Sequence, residues 1–429
     1  MRSRTVLLHN AKQQNRSKFA GELLKAPPFW AVVIFACFNV TLYLWQPRIN
    51  VAPADLPVRT SWEWWRARSF ESEKVAPDIV LLGSSLIMIP ATLADVEFLQ
   101  QDIDAVRHTR VVSLERRLQN EGAGNQIKSF NFALPGAMIS DDYMVTRALL
   151  SGERKPRVLV LGLSLRDFID NGVEAATATP AFQYFRHYFP LKDIETLVAP
   201  TLPGRFEFLQ SQILFLWDKR LQLQALASGA LRCLASGMLG TSNMSAAQAA
   251  FLKASLTSAA DEGEDMTSAT CVREGAFIHR PNTVRPFKDN TREYRKRFRT
   301  AHQELFNNQV VFLERLLALA NERGIEVVIV NMPLTERNMK LMPKGSYAQY
   351  LSALQSASIK YGARVFDMND QRSFLVSDFL DSVHLNASGS KKFVDKLAAY
   401  MSRDGAVRSA LLSPAEQPTN ECSRPNVTM

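Results

Sequence analysis

Two stretches of the sequence carry side chains that could act together on an acyl group. Ser84 and Ser85 stand directly behind Gly83 at the end of the apolar run Ile79-Val80-Leu81-Leu82, and Asp381-Ser382-Val383-His384 places a carboxylate and an imidazole three residues apart. A serine hydroxyl is a weak nucleophile until a base takes its proton, and the base works best when a carboxylate fixes its orientation. Of the six histidines, only His384 has an Asp three residues before it. Each signal has a plainer reading alone: a serine after a strand caps the following helix, and a lone histidine caps a helix or faces solvent. Their paired placement is what favours chemistry.

The elements that must position these residues are legible as a pattern. Five short apolar runs bounded by Gly, Pro or polar residues, at 78–83, 128–133, 157–163, 326–332 and 364–368, read as buried parallel strands. Helix-period stretches lie between them, notably from Arg292 to Arg323, where Phe298, Leu305, Phe312, Leu316 and Leu319 recur and Gly324 marks the stop. Strands alternating with helices predict an open α/β sheet, whose ligands bind outside the carboxyl ends of the strands. Ser85 and the 381–384 loop both follow such ends. The interval 172–290 is too long for a simple crossover and is expected to hold an inserted subdomain. Within it Phe206, Leu209, Ile213, Leu216 and Trp217 repeat at helical spacing, which reads as a helix packed on the core, with membrane-surface contact as the alternative. Residues 240–270 read as a flexible excursion and 406–429 as a disordered polar tail.

The 429-residue chain carries a net charge of +9, but its basic residues are scattered and no zinc-finger, recognition-helix or aromatic RNA-binding pattern accompanies them, so no nucleic-acid partner is expected. No glycine-rich phosphate loop and no C-x-x-C occurs, so neither a nucleotide cofactor nor a structural metal is expected. Residues 1–26 hold Arg2, Arg4, Lys12, Arg16, Lys18 and Lys25 against one acid, Glu22, and 27–46 form an apolar stretch with Trp30 and Trp45 near its ends. That pattern predicts a single membrane anchor with its N-terminus in the cytoplasm and the rest of the chain on the periplasmic or extracellular side of the plasma (inner) membrane. A signal peptide cleaved near Ala52-Pro53-Ala54 is the alternative. Residues 47–74, with Trp62-Glu63-Trp64-Trp65, read as a juxtamembrane linker. Cys37 lies in the anchor and Cys422 in the tail, which leaves Cys233 and Cys271 either as a disulfide or as two free thiols.

Three blocks, in order, resemble the SGNH (GDSL) hydrolase superfamily: Gly83-Ser84-Ser85-Leu86, Asn131-Phe132-Ala133-Leu134-Pro135-Gly136 and Asp381-x-x-His384. The Gly-Ser-Ser turn and the anchor look most like the envelope branch that includes lipoteichoic-acid D-alanylation and alginate O-acetylation proteins. The likeness covers about residues 75–171 and 325–402. It implies a flavodoxin-like three-layer α/β sandwich with a five-stranded parallel sheet, a catalytic domain over 75–405 and a helical insertion at about 172–290. It implies Ser85 as nucleophile, His384 as base and Asp381 as its orienting carboxylate, with the Ser85 N–H and Gly136 forming an oxyanion hole. Gly136 has an ordinary turn role as its alternative.

The third block departs from the family pattern, which often has Gly-x-Asn-Asp where this chain has Gly162-Leu163-Ser164-Leu165-Arg166-Asp167. Ser164 or Arg166 is expected to supply the missing donor, an ion pair or helix cap being the structural alternative. The resemblance implies a serine esterase or O-acyltransferase acting on acetyl or other short acyl esters of an envelope or exported polysaccharide, beside a multispanning acyltransferase. Two rivals remain open: a non-catalytic scaffold or glycan-binding component of an acylation complex, and a membrane-surface lipase.

Overall fold

The computed structural model describes residues 27–45, 58–124, 126–173, 175–198, positions scattered between 205 and 227, and 277–413. Cys233, Cys271, Cys422, the basic N-terminal segment and the 240–270 excursion lie outside the described residues. Contacts divide the chain into a small unit, residues 1–56 with 200–249, and a large unit, 57–199 with 250–429.

The described part of the small unit is chiefly helix α1, Pro27–Trp45, whose 19 residues carry no charge. At 1.5 Å per residue it is about 28 Å long, close to the thickness of a bilayer's hydrocarbon core. It is long and apolar enough to cross a membrane. Its apolar side chains, Ile34, Phe38 and Leu44 among them, are exposed, while Asn39 is buried. Asn39 Oδ1 accepts the Leu216 N–H at 3.4 Å, so part of the predicted Phe206–Trp217 helix, observed as Phe215–Asp218, meets α1. Phe206 and Leu209 are exposed.

Among its described residues the large unit holds seven strands: β1 (Ile79–Gly83), β2 (Ile103–Asp104), β3 (Ser129–Asn131), β4 (Val158–Leu163), β5 (Ile278–His279), β6 (Glu326–Asn331) and β7 (Arg364–Asp367). Five of them form one parallel sheet in the order β3-β1-β4-β6-β7. Counted along the chain without β2 and β5, this is the 2-1-3-4-5 order of flavodoxin-like folds. Each of the five predicted runs is one of these strands. Every residue of β1 and β4 is buried, as continuous apolar runs must be when helices cover both faces of the sheet. At the edge, β7 is partly exposed along its length.

Helices α3 (Ser85–Leu99), α4 (Val112–Asn120) and α10 (Ala387–Arg403) pack together as one layer. Helices α5 (Ile139–Leu149), α8 (Gln303–Glu322) and α9 (Ser346–Tyr361), with the short α6 (Arg166–Ile169), form the other. The result is the three-layer sandwich expected.

Several elements differ from expectation, each for a local reason. The stretch expected as linker is, from Val58 to Ser72, helix α2. Its Trp62, Arg66 and Phe70 are buried, Phe70 stacking edge-on against Phe130 while the Arg66 guanidinium donates to the carbonyls of His108 and Ala105, each at 2.8 Å. The predicted helix from Arg292 to Arg323 is two helices, α7 (Thr291–Arg297) and α8, because His302 adopts φ 39° and its ring caps α8 through the Leu305 N–H. β2 and β5 form an antiparallel pair that the sequence pattern does not announce. The tail expected from residue 406 begins with helix α11, Gly405–Leu412, capped by Asp404 and holding Val407 and Leu411 in the core at i,i+4 spacing. Residues 414–429 lie outside the described residues.

Candidate active site

The turn that carries Ser85 depends on two adjacent glycines. Gly83 closes β1 in register with Gly162 of β4, at φ +128°, and a Cβ added there would stand 2.3 Å from the Gly162 carbonyl oxygen. A Cβ on Gly162 would meet the Ile87 side chain at 2.5 Å. Only glycine at both positions lets the first turn of α3 press down onto the strand ends. Ser84 then occupies the N-cap position without a side-chain cap, its hydroxyl buried and unpartnered. Ser85 is the first helical residue and is partly exposed. The capping role open to these serines is thus taken in backbone only, and Ser85 turns its hydroxyl elsewhere.

That hydroxyl meets the ring of His384. Ser85 Oγ lies 2.9 Å from His384 Nε2, and His384 Nδ1 lies 2.7 Å from Asp381 Oδ2. The second carboxylate oxygen, Asp381 Oδ1, accepts the backbone N–H groups of Val383 and His384, each at 2.8 Å. Burial opposes the charge on Asp381, yet the facing His384 ring and these hydrogen bonds outweigh it and hold its pKa below the ordinary carboxylate value. A carboxylate that stays ionised keeps the Nδ1–H tautomer in place, leaving Nε2 as the atom that can take a proton from serine.

The loop that carries His384 is held from several sides. Phe379 bridges Leu385 across its neck, and Leu380 N donates to the His384 carbonyl at 2.7 Å. Ser382 receives the Thr335 hydroxyl on its carbonyl at 2.7 Å and donates its N–H to Asn290 Oδ1 at 3.0 Å. Lys288 N donates to the Leu380 carbonyl, so the segment entering α7 runs along the loop. Asn386 caps α10 through the Gly389 N–H, fixing the chain two residues past His384. Gly389 must be glycine, since its Cβ would stand 2.2 Å from the Asp378 carbonyl.

The loop after β3 reaches the same strand ends, with Leu134 N donating to the Gly83 carbonyl at 2.9 Å. Gly136 is exposed and left-handed, φ +73°. Among the described residues, neither its N–H nor the Ser85 N–H has an acceptor. Two backbone donors left open at and near Ser85 have the chemistry an oxyanion hole requires.

The third block is occupied differently. The Ser164 hydroxyl donates to Asp167 Oδ2 at 3.1 Å and is 1% exposed. The Arg166 guanidinium is buried and gives Nη2 to the Gly136 carbonyl at 2.9 Å, Nη1 to the Ala137 carbonyl at 2.8 Å and Nε to Asp170 at 3.0 Å. Asp170 also receives Arg297. Burial works against its charge, but the two guanidinium groups prevail and lower its pKa.

The sequence patterns did not single out the carboxyls behind this loop. Asp141 and Asp142, in the first turn of α5, and Glu63 of α2 are all buried. Burial raises Asp141 to about 6 and Glu63 to about 8. It raises Asp142 well above the ordinary range, aided by the neighbouring Asp141 and Asp167 charges. Among the described residues no three His, Cys, Asp or Glu side chains are grouped as metal ligands. A cleft of about 900 Å³ adjoins the base loop through Asn386 and Ser388 and is lined also by Phe98, Arg285 and Lys391.

Compared with models of known families and with curated proteins, the chain matches none.

Proposed function

We propose that this protein is a membrane-anchored serine esterase or O-acyltransferase that works through an acyl-enzyme on Ser85. The observation that carries the reading is the unbroken chain of contacts from Ser85 Oγ to His384 Nε2 and from His384 Nδ1 to Asp381, at 2.9 and 2.7 Å. Ser85 attacks the ester carbonyl while His384 takes its proton, and Asp381 stabilises the imidazolium that forms. The N–H groups of Ser85 and Gly136 hold the oxyanion. His384 then protonates the leaving alcohol, and water or a sugar hydroxyl, deprotonated by the same ring, releases the acyl group. A short acyl ester, acetyl first, on an envelope or exported polysaccharide follows from the family resemblance, as does a multispanning acyltransferase as neighbour. Helix α1 anchors the chain, and the basic segment before it orients the large unit to the outer side of the plasma membrane.

One observation favours a second reading, a catalytically silent scaffold of an acylation complex: Ser164 spends its hydroxyl on Asp167 rather than on a substrate. The test is hydrolysis of p-nitrophenyl acetate by the full chain in detergent, with Ser85→Ala and His384→Ala beside the parent, and labelling by a fluorophosphonate. Turnover and labelling in the parent, both lost in Ser85→Ala, support the enzyme. A folded parent with neither supports the scaffold.

A further inference from the structure

The oxyanion loop and the residue that replaces the family's asparagine are in contact, and the bookkeeping of peptide groups shows what that contact does. Pro135 has no N–H, Ala137 N donates to the Leu134 carbonyl at 3.1 Å and Met138 N to Asp141 Oδ2 at 2.8 Å. Of positions 135–138, Gly136 alone keeps an uncommitted N–H. On the other side of the loop the Gly136 and Ala137 carbonyls both take the Arg166 guanidinium. Two successive carbonyls fixed on one planar fork leave the peptide planes little freedom, because each peptide is rigid. The Gly136 N–H lies in the preceding peptide plane, joined to the fixed one at the Gly136 Cα, so the fork limits it through the backbone angles of this one left-handed residue.

We infer that Arg166 is the positioning residue of the oxyanion hole: by gripping the carbonyls of Gly136 and Ala137 it aims the Gly136 N–H at the oxygen that becomes negative when Ser85 attacks. A side-chain donor is exchanged for a side chain that holds a backbone donor. The fork is itself held, by Asp167 at 2.9 Å and by Asp170, which Arg297 of α7 grips from the far side. Asp167 also accepts the Ser164 N–H at 2.7 Å, so the third block serves as the seat of Arg166 rather than as a surface for substrate. A lysine could satisfy one carbonyl but not two, since it is a point donor and not a fork.

The inference rests on the acyl-transfer reading above and concerns its rate-limiting geometry. The test uses the full chain in detergent, counts active sites by fluorophosphonate titration, and compares the parent with Arg166→Lys, Arg166→Gln and Arg297→Gln. Loss of a transition-state donor lowers kcat and leaves KM nearly unchanged. Arg166→Gln is expected to lose on the order of 10²-fold in kcat per titrated site and Arg166→Lys about 10-fold, with KM within about threefold and the acid limb of the pH profile unmoved. Arg297→Gln, a milder change at a partly exposed side chain, is expected to lose about threefold in kcat alone. If Arg166→Gln does not fold, the other two variants decide. Unchanged kcat in Arg166→Lys and Arg297→Gln, or a loss confined to KM, overturns the role of Arg166 and leaves the hydrolase standing. A parent whose turnover survives Ser85→Ala overturns both.

Discussion

Asp381 holds His384 at two places, taking the ring Nδ1 on one carboxylate oxygen at 2.7 Å and the backbone N–H of the same residue on the other at 2.8 Å. The two contacts separate by mutation. Asp381→Asn retains one oxygen for the backbone donors but offers the ring an amide, so the tautomer that leaves Nε2 free is no longer favoured. It is expected to stay folded and to lose on the order of 10⁴-fold in kcat for p-nitrophenyl acetate. Asp381→Ala removes both contacts and should also lower the thermal midpoint. Equal activity in Asp381→Asn and the parent would remove Asp381 from the mechanism.

The two left-handed glycines near Ser85 should respond differently to alanine. At Gly83 a Cβ overlaps the Gly162 carbonyl, so Gly83→Ala is expected to destabilise by ~3 kcal/mol or more. At Gly136 the nearest atom to the new Cβ is Arg166 Nη2 at 3.5 Å, an ordinary contact. Gly136→Ala should therefore cost only the left-handed backbone strain, about 1–2 kcal/mol, with its larger effect on kcat. Urea unfolding of the two variants side by side checks the order.

Asn290 reaches the base loop from the end of the insertion, accepting the Ser382 N–H and hydroxyl on one oxygen. Asn290→Ala leaves a partly buried N–H without its acceptor, a cost of about 1–3 kcal/mol. The loop that carries His384 loosens with it, so kcat is expected to fall in proportion more than KM rises. An unaltered unfolding midpoint would show that the loop is held without it.

Stability should depend on pH through Glu63. Its pKa rises from 4.5 to about 8 in the fold, chiefly by burial. The folded protein therefore keeps a proton that the unfolded chain gives up, and the stability present below pH 4.5 is lost as the pH rises to about 8. The slope is about 1.4 kcal/mol per pH unit in that window. Glu63→Met removes the titration, so its stability relative to the parent is expected to grow between pH 5 and pH 8. A difference that stays constant across the window would mean that Glu63 ionises freely in the fold.

Much of this architecture is legible in sequence because β1, β4 and β6 are covered on both faces and must be written as unbroken apolar runs. Ser85 and the Asp381–His384 pair stand out because their positions follow strand ends. The ion pair of Arg166 with Asp167 was open to sequence reasoning, but its grip on the Gly136 and Ala137 carbonyls, 30 and 29 residues away, was not, because backbone leaves no trace in residue type. Helix α2 was hidden for a related reason. Its Arg66 is fully buried, which composition counts as surface, and it is accommodated only because two carbonyls face it. The β2–β5 pair consists of two residues on each side and is joined across the insertion, too short for any period to register.

The contact between Ser85 and His384 spans 299 positions of chain. In a protein synthesised from its N-terminus Ser85 therefore emerges long before His384, and β7 and the loop carrying His384 must arrive before the two side chains can meet. Closure of so long a loop is among the slower events a fold can require. On the proposed reading, labelling of Ser85 would therefore report that the chain has folded at least as far as His384, and a chain cut short before residue 384 is expected to give none.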